Sequence, residues 1–309
     1  MNQDAVLCRK VAAADGVELH YEVLGSDAPG APVLVLANGL GGRLYAWEPL
    51  VEHFAPTHRI LTWDYRGLFN SGSPPTIKGL QLPNHASDIL TILDEEQIER
   101  AHFVGWSMGT MVNLEVALSA PRRVQSLTLI NGSYGQIFDR ALQPWMRLPG
   151  IPRVLHRVVE TLASHEWIAD RIGALTLNPL HISAVGYMIS KAWGNPKIRP
   201  MYAQYVSDVF GESFHNYLRL FQALDAHSSY YLLPEVTQPT LVISGGLDWL
   251  TPASMSRRIA RRIPGAEHLH LPLASHFALL EYSDEVVERM QAFLQPLRVH
   301  AGGSNTAAA

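Results

Sequence analysis

Cysteine is almost absent: Cys8 is the only one in 309 residues. No intrachain disulfide can form, so folding does not call on an oxidising compartment. Long apolar runs are missing as well. No uninterrupted stretch approaches the roughly 20 residues that span a bilayer, which predicts no membrane partner. Residues 1–15 lack an apolar core behind a basic start, the mark of a secretory leader. A cytoplasmic location is the resulting expectation. Charge of one sign is also scarce. A formal net charge of −4 offers no basic face for nucleic acid. The one local basic group, Arg257, Arg258, Arg261 and Arg262, recurs at helical spacing and predicts a solvated helix face. Repeats and low-complexity segments are lacking too.

What is present is a globular composition, 47% hydrophobic and 17% charged. The length suits one large domain or a core carrying an insertion. Strand-like runs alternate with helical patterns through the first third. VELHYEVLG (17–25), APVLVLANG (31–39), HRILTW (58–63), AHFVGWS (101–107) and VQSLTLING (124–132) read as strands. Helical patterns fall at 45–54, at 84–98 with Asp88 and its neighbours facing solvent, and at 108–121, stopped by Pro121. From about Ser133 to Leu233 the β-branched runs disappear, and aromatics, Met and Pro mark several helices. The alternation resumes with a strand at 237–246, a helix at 251–263, a strand at 266–273 and a helix at 284–297. Alternation of this kind predicts an α/β fold, a mostly parallel, doubly wound sheet. Residues 1–133 and 234–300 would form the core. Residues 134–233 would be a helical cap across the sheet's carboxyl edge, where open α/β sheets bind ligands. The small, polar stretch 301–309 reads as a disordered tail.

Within FVGWSMGTM (103–111) lies Gly105-Trp106-Ser107-Met108-Gly109. The pentapeptide alone is weak. A buried strand before it and a helix directly after it give it the setting of a nucleophile elbow. The glycines avoid collisions that any side chain would cause there. The serine hydroxyl would sit at a helix N-terminus, where developing negative charge is favoured.

Such a serine needs a base, and fourteen histidines are available. His276 lies in a loop between the last strand and the terminal helix, at the sheet's carboxyl edge, and is the predicted base. His53, His58, His85 and His102 read as solvated residues of helices, turns or strand starts. His268 and His270 share one face of a strand with no third ligand nearby, so no metal is expected. His156, His165, His181, His215 and His227 belong to the cap. The base needs an orienting carboxylate. Asp248 follows a buried strand and precedes the helix opened by Thr251-Pro252, with Asp225 as the fallback. The order Ser107, Asp248, His276 is the one this architecture requires. Backbone N–H groups of Leu40, in the glycine-rich loop Asn38–Gly42, and of Met108 are the predicted oxyanion donors.

With these pieces in place, the chain resembles the α/β-hydrolase superfamily over nearly its whole length. The resemblance rests on ANGLGG (37–42), WDYRGLFNSG (63–72), GWSMG (105–109), GGLDWLTP (245–252) and SHFALLE (275–281). Three positions depart from the family pattern. Asn38 stands where many relatives have histidine, Leu68-Phe69 interrupts the Asp-x-Arg-Gly-x-Gly-x-Ser segment, and Thr110 replaces a glycine after the elbow. Asp64 and Arg66 are read as fixing their loop structurally. The resemblance implies a serine esterase acting through an acyl-enzyme, without cofactor, on a small-molecule ester, as monomer or homodimer. A serine rather than an aspartate at the elbow argues against haloalkane and epoxide chemistry. C–C bond hydrolysis, enol-lactone hydrolysis, acyl transfer and a non-catalytic receptor remain alternatives. The cap carries Trp145, Met146, Trp167, Tyr187, Met188, Trp193, Tyr202, Tyr205, Phe214 and Tyr217. That load predicts an apolar acyl or aryl pocket, with Gly39, Trp106, Trp145, Tyr187 and Trp193 as its candidate substrate-binding residues.

Overall fold

The computed structural model describes residues 6–137, 150–178, 180–184, 195–196, 198–211 and 214–302. Eight strands form one sheet: β1 (Leu7–Ala12), β2 (Glu18–Gly25), β3 (Val33–Ala37), β4 (Arg59–Trp63), β5 (Ala101–Trp106), β6 (Val124–Ile130), β7 (Thr240–Gly245) and β8 (Glu267–Leu271). Their spatial order is β1-β2-β4-β3-β5-β6-β7-β8. β2 runs antiparallel to both neighbours. Every other pairing is parallel. Strands β5 and β7, each flanked by parallel neighbours, are buried at every position, which is why they read as largely apolar runs rather than alternating ones. β1 is largely exposed and pairs only with β2. With no apolar face to betray it, this edge strand escaped the hydrophobic pattern.

Helices α1 (Glu48–Phe54), α2 (Leu82–Glu95), α3 (Met108–Ser119), α4 (Ile151–Ser164), α5 (Glu166–Thr176), α6 (Arg199–Val209), α7 (Phe214–Ala226), α8 (Ala253–Arg262), α9 (Ala278–Glu281) and α10 (Ser283–Gly302) are joined by short 3-10 helices at Leu44–Trp47, Ile77–Leu80, Pro121–Arg123 and Leu233–Glu235. One core layer joins the sheet to α2, α3 and α8 through Ile89, Ile92, Met111, Leu114, Met255 and Ile259. The opposite layer joins it to α1 and α10 through Leu50, Phe54, Val286, Met290 and Phe293. Both faces of the sheet are therefore covered, as a parallel sheet requires. Between β6 and β7 the chain leaves the sheet and forms α4 to α7. These helices share a small core of their own, including Val159, Ala163, Ala169, Phe214 and Leu218.

Some solvated assignments are corrected by the structure. Asp88 is fully buried, because the face of α2 that carries it packs on the Arg66 loop rather than on water. Of the four histidines read as solvated, His58, His85 and His102 are buried; only His53 is exposed. Each buried ring has a local polar partner: Phe54 O for His58, Leu80 O for His85 and Ser126 Oγ for His102. Along α8, Arg257, Arg258 and Arg261 are exposed as expected. Arg262 instead lies over the Tyr230 ring, 4.3 Å from its centroid.

Candidate active site

All five chain segments of the site leave the carboxyl ends of parallel strands. Ser107 follows β5 directly and caps α3 with φ +54 and ψ −111. A non-glycine residue rarely holds such a conformation, and strain of this kind gathers at functional sites. It is sustained by tight packing. A Cβ on Gly109 would fall 1.9 Å from Ala37 O, and one on Gly105 would fall 2.5 Å from Gly109. The glycines of the pentapeptide are thus fixed by sterics, as the pattern predicted. Ser107 is half-buried within a stretch that is otherwise buried. Its N–H donates to Ile130 O at 3.0 Å, tying the turn to β6.

Asp248, at the end of β7, is 4% exposed, and His276, beyond β8, is 3% exposed. His276 Nδ1 lies 2.9 Å from Asp248 Oδ2. The same oxygen accepts from Asn131 Nδ2 at 2.7 Å and lies 2.7 Å from Thr251 Oγ1. Oδ1 accepts from the N–H groups of Leu250 and Thr251 at 3.0 and 2.8 Å. Both carboxylate oxygens are therefore held, and the imidazole's Nδ1 has a fixed acceptor. Asn131, which follows β6 with φ +47, also donates to Ser275 O at 3.2 Å. The sequence reading passed over Asn131 and the Thr251 hydroxyl. Their only signal was a polar side chain at the carboxyl end of a buried strand and in a helix-opening turn. The fallback Asp225 lies elsewhere, 3.6 Å from His156 Nε2.

Trp106 joins the two halves of the site. Its indole N–H donates to His276 O at 2.9 Å, and its ring centroid lies 5.6 Å from that of His276 and 5.2 Å from Phe277. On its other side it meets the glycine loop: a Cβ on Gly39 would fall 2.6 Å from the indole. That loop is anchored at its start by Asn38. The Asn38 amide donates to Thr62 Oγ1 and Trp63 O, while its Oδ1 accepts from Trp47 Nε1 at 2.6 Å. Its carbonyl accepts from the Tyr65 hydroxyl at 2.8 Å. Asparagine in place of histidine thus serves the loop's architecture. From α6, the Tyr205 hydroxyl donates to Leu40 O at 3.0 Å. Burial, with the neighbouring Tyr217 and Tyr45, pushes that hydroxyl well above its ordinary range, so it remains a donor.

Asp64 and Arg66 hold the neighbouring loop. Asp64 faces His20 Nδ1 at 3.2 Å and Arg43 Nε at 3.5 Å, and accepts from Asn70 N. Arg66 forks onto Asp88 and reaches Asp15 at 2.7 Å. Burial pushes the Asp88 carboxyl up, against the pull of Arg66. His268 and His270 are exposed on β8, and both approach Ser244 Oγ. Among the described residues, one group has ligand atoms close enough to hold a metal, Glu166, Asp170 and His215 in the inserted helices. Trp145, Tyr187 and Trp193, with Met146 and Met188, lie outside the described residues. Trp167 is 65% exposed and turned to solvent. No helix among the described residues is long and apolar enough to cross a membrane.

A family model of the alpha/beta hydrolase fold matches residues 32–282. Among curated proteins, the chain is similar to RutD of Agrobacterium fabrum, a candidate carbamate hydrolase by its name. The two are 27% identical over 285 residues, which cover 90% of this chain and 98% of RutD. Among solved structures, the enol-lactonase of Burkholderia xenovorans aligns with a TM-score of 0.71 at 26% identity, covering 93% of this chain and 100% of that one. A hydrolase from Pseudomonas aeruginosa gives a TM-score of 0.70 at 26% identity, covering 93% of this chain and 98% of that one.

Proposed function

The chain belongs to the α/β-hydrolase fold family, and from that premise we propose that it is a serine hydrolase of carboxylic esters. Ser107 is the nucleophile, His276 the base and Asp248 the carboxylate that orients it. The observation that carries this reading is the strained, accessible Ser107 at the head of α3, with the buried His276–Asp248 pair linked to it through Trp106. In the reaction, Ser107 Oγ attacks the acyl carbon as its proton passes to His276 Nε2. The negative charge on the former carbonyl oxygen meets the backbone N–H groups of Leu40 and Met108. His276 then gives its proton to the departing alkoxide, leaving an acyl-serine. A water, deprotonated by the same imidazole, attacks that ester and releases the carboxylic acid and free Ser107. Asp248 keeps the imidazole in the tautomer with Nδ1–H and stabilises the transient imidazolium. Trp106 positions His276 and the glycine loop, rather than merely facing substrate. The inserted helices supply an apolar roof, which favours small to medium acyl or aryl esters, with residues 134–233 as the cap.

The likeness to RutD and to the enol-lactonase favours a second substrate class for the same machinery. A carbamate or a lactone also presents an acyl carbon to Ser107. A panel of p-nitrophenyl acetate and butyrate, an aryl carbamate, an enol lactone and an aryl C–C substrate ranks these classes. An added alcohol separates hydrolysis from acyl transfer. Ser107→Ala is expected to lower kcat/KM on the best substrate by about 10⁶ while the protein stays folded. Full activity in that variant would sink the mechanism.

A further inference from the structure

Phe69 holds φ +52 in the loop after β4, a left-handed conformation that bulky side chains seldom adopt. It stands where the segment Asp64–Ser71 departs from the family's glycine. The backbone keeps a glycine-like shape here, yet it carries an aromatic ring. The Arg43 guanidinium lies over that ring, 4.9 Å from its centroid, and Arg43 is itself held near Asp64. Phe69 lines a cavity of about 200 Å³ together with Gly41, Leu68, Val209 and Tyr217. Gly41 is the next residue after Leu40, so the cavity borders the loop that would hold the oxyanion. Asp208 also lines it, but its carboxylate already accepts from the Tyr45 hydroxyl at 2.9 Å and from Gln204 at 2.7 Å. Among the described lining residues, Leu68, Phe69, Val209 and Tyr217 offer the apolar surface, and Ser207 adds a hydroxyl. An enclosed apolar cavity of about 150 Å³ is enough to bind benzene, so a pocket of this volume has room for one ring.

We propose that this cavity is the subsite for one compact apolar arm of the substrate, a single aryl ring or a branched alkyl group. Phe69 is its specificity-determining wall. The proposal rests on the ester-hydrolase reading for its reaction, but the cavity's occupant can be tested without turnover. The strained backbone keeps a ring beside the glycine loop, where a less strained residue would leave open space.

The test compares wild type with Phe69→Gly, which suits the same backbone conformation. The kcat/KM ratios of phenyl acetate and methyl benzoate to ethyl acetate are measured, with melting temperatures in parallel. Phenol binding is followed by calorimetry. At least one ring-bearing ester is expected to lose about tenfold of its advantage over ethyl acetate, mainly through KM. Phenol affinity should fall alongside, and the melting temperature should move little as strain relief offsets lost ring contact. Unchanged ratios overturn the proposal, as does an equal loss on all three esters with a large fall in melting temperature. Phenol binding that ignores Phe69 overturns it too. If phenol binds in a Phe69-dependent way but no ester is hydrolysed, the subsite stands and the ester reading falls.

Discussion

Two buried carboxylates make an instructive pair. Asp88 and Asp248 are both removed from solvent and both face a nitrogen base across a hydrogen bond. Asp88 faces Arg66, whose charge is permanent and whose planar fork takes both carboxylate oxygens. Its bonds tie α2 to the loop after β4, while burial pushes its carboxyl up against the pull of Arg66. Asp248 faces an imidazole, which can take up a proton during a reaction and release it. Its other bonds come from Asn131, Leu250 and Thr251 and hold it still without neutralising it by a second fixed cation. Burial alone therefore does not separate a structural acid from a catalytic one. The partner differs: a guanidinium at Asp88, and an imidazole at the carboxylate proposed to act in catalysis.

The largest expected contrast comes from removing one charge at each site. Asp248→Asn is expected to lower kcat by about 10⁴, because the imidazole loses its orienting acceptor, with little change in stability. Asp88→Asn should do the reverse. It leaves the buried Arg66 with Asp15, a partly exposed carboxylate, as its remaining ion-pair partner among the described residues, and is expected to cost about 3 kcal/mol in denaturant unfolding, while turnover per folded molecule stays near wild type. If Asp88→Asn abolished turnover in the folded fraction, or Asp248→Asn left kcat intact, the contrast would be broken.

His85 sharpens the comparison from the structural side. Burial first, and then the charge of Arg66, push its imidazole down to about 3. An unfolded chain protonates the same ring near pH 6.5. Between those values the unfolded state binds the additional proton, so stability is complete above about pH 6.5 and declines as pH falls. The decline is up to about 1.4 kcal/mol per pH unit and ends near the folded value. In His85→Gln, unfolding midpoints should flatten across that window. An acid limb identical to that of wild type would exclude His85 as its source.

The smallest effect tests the link between the halves of the active site. Trp106→Phe keeps most of the ring and loses the N–H that reaches His276 O. A drop in kcat of about tenfold with KM little changed is expected, in keeping with one lost buried hydrogen bond. A change in KM alone would return Trp106 to the role of a substrate contact.

Much of this was legible in the sequence because each part demands a particular residue type at a particular strand end. Ser107 needs Gly105 and Gly109, Asp248 follows the buried strand β7, and His276 falls in the loop between the last strand and the terminal helix. Asp88 was not legible. A polar residue on an amphipathic helix looks solvated until the partner is known, and Arg66 comes from a loop 22 residues earlier. Asn131 was missed for a related reason, since a single asparagine after a strand has no periodic signature. The edge strand β1 carries too little apolar patterning to announce itself. The aromatics proposed for the roof could not be sorted by sequence either, because a ring that packs helices together and a ring that meets substrate look alike.

The bond from Tyr205 to Leu40 O has one further consequence. Helix α6 belongs to the helices inserted between β6 and β7, and Leu40 belongs to the loop proposed to receive the oxyanion. The same helix holds Asp208, which accepts from Tyr45, in the 3-10 helix that follows that loop. Tyr205 and Asp208 stand three residues apart, so one face of α6 carries both bonds to this stretch of chain.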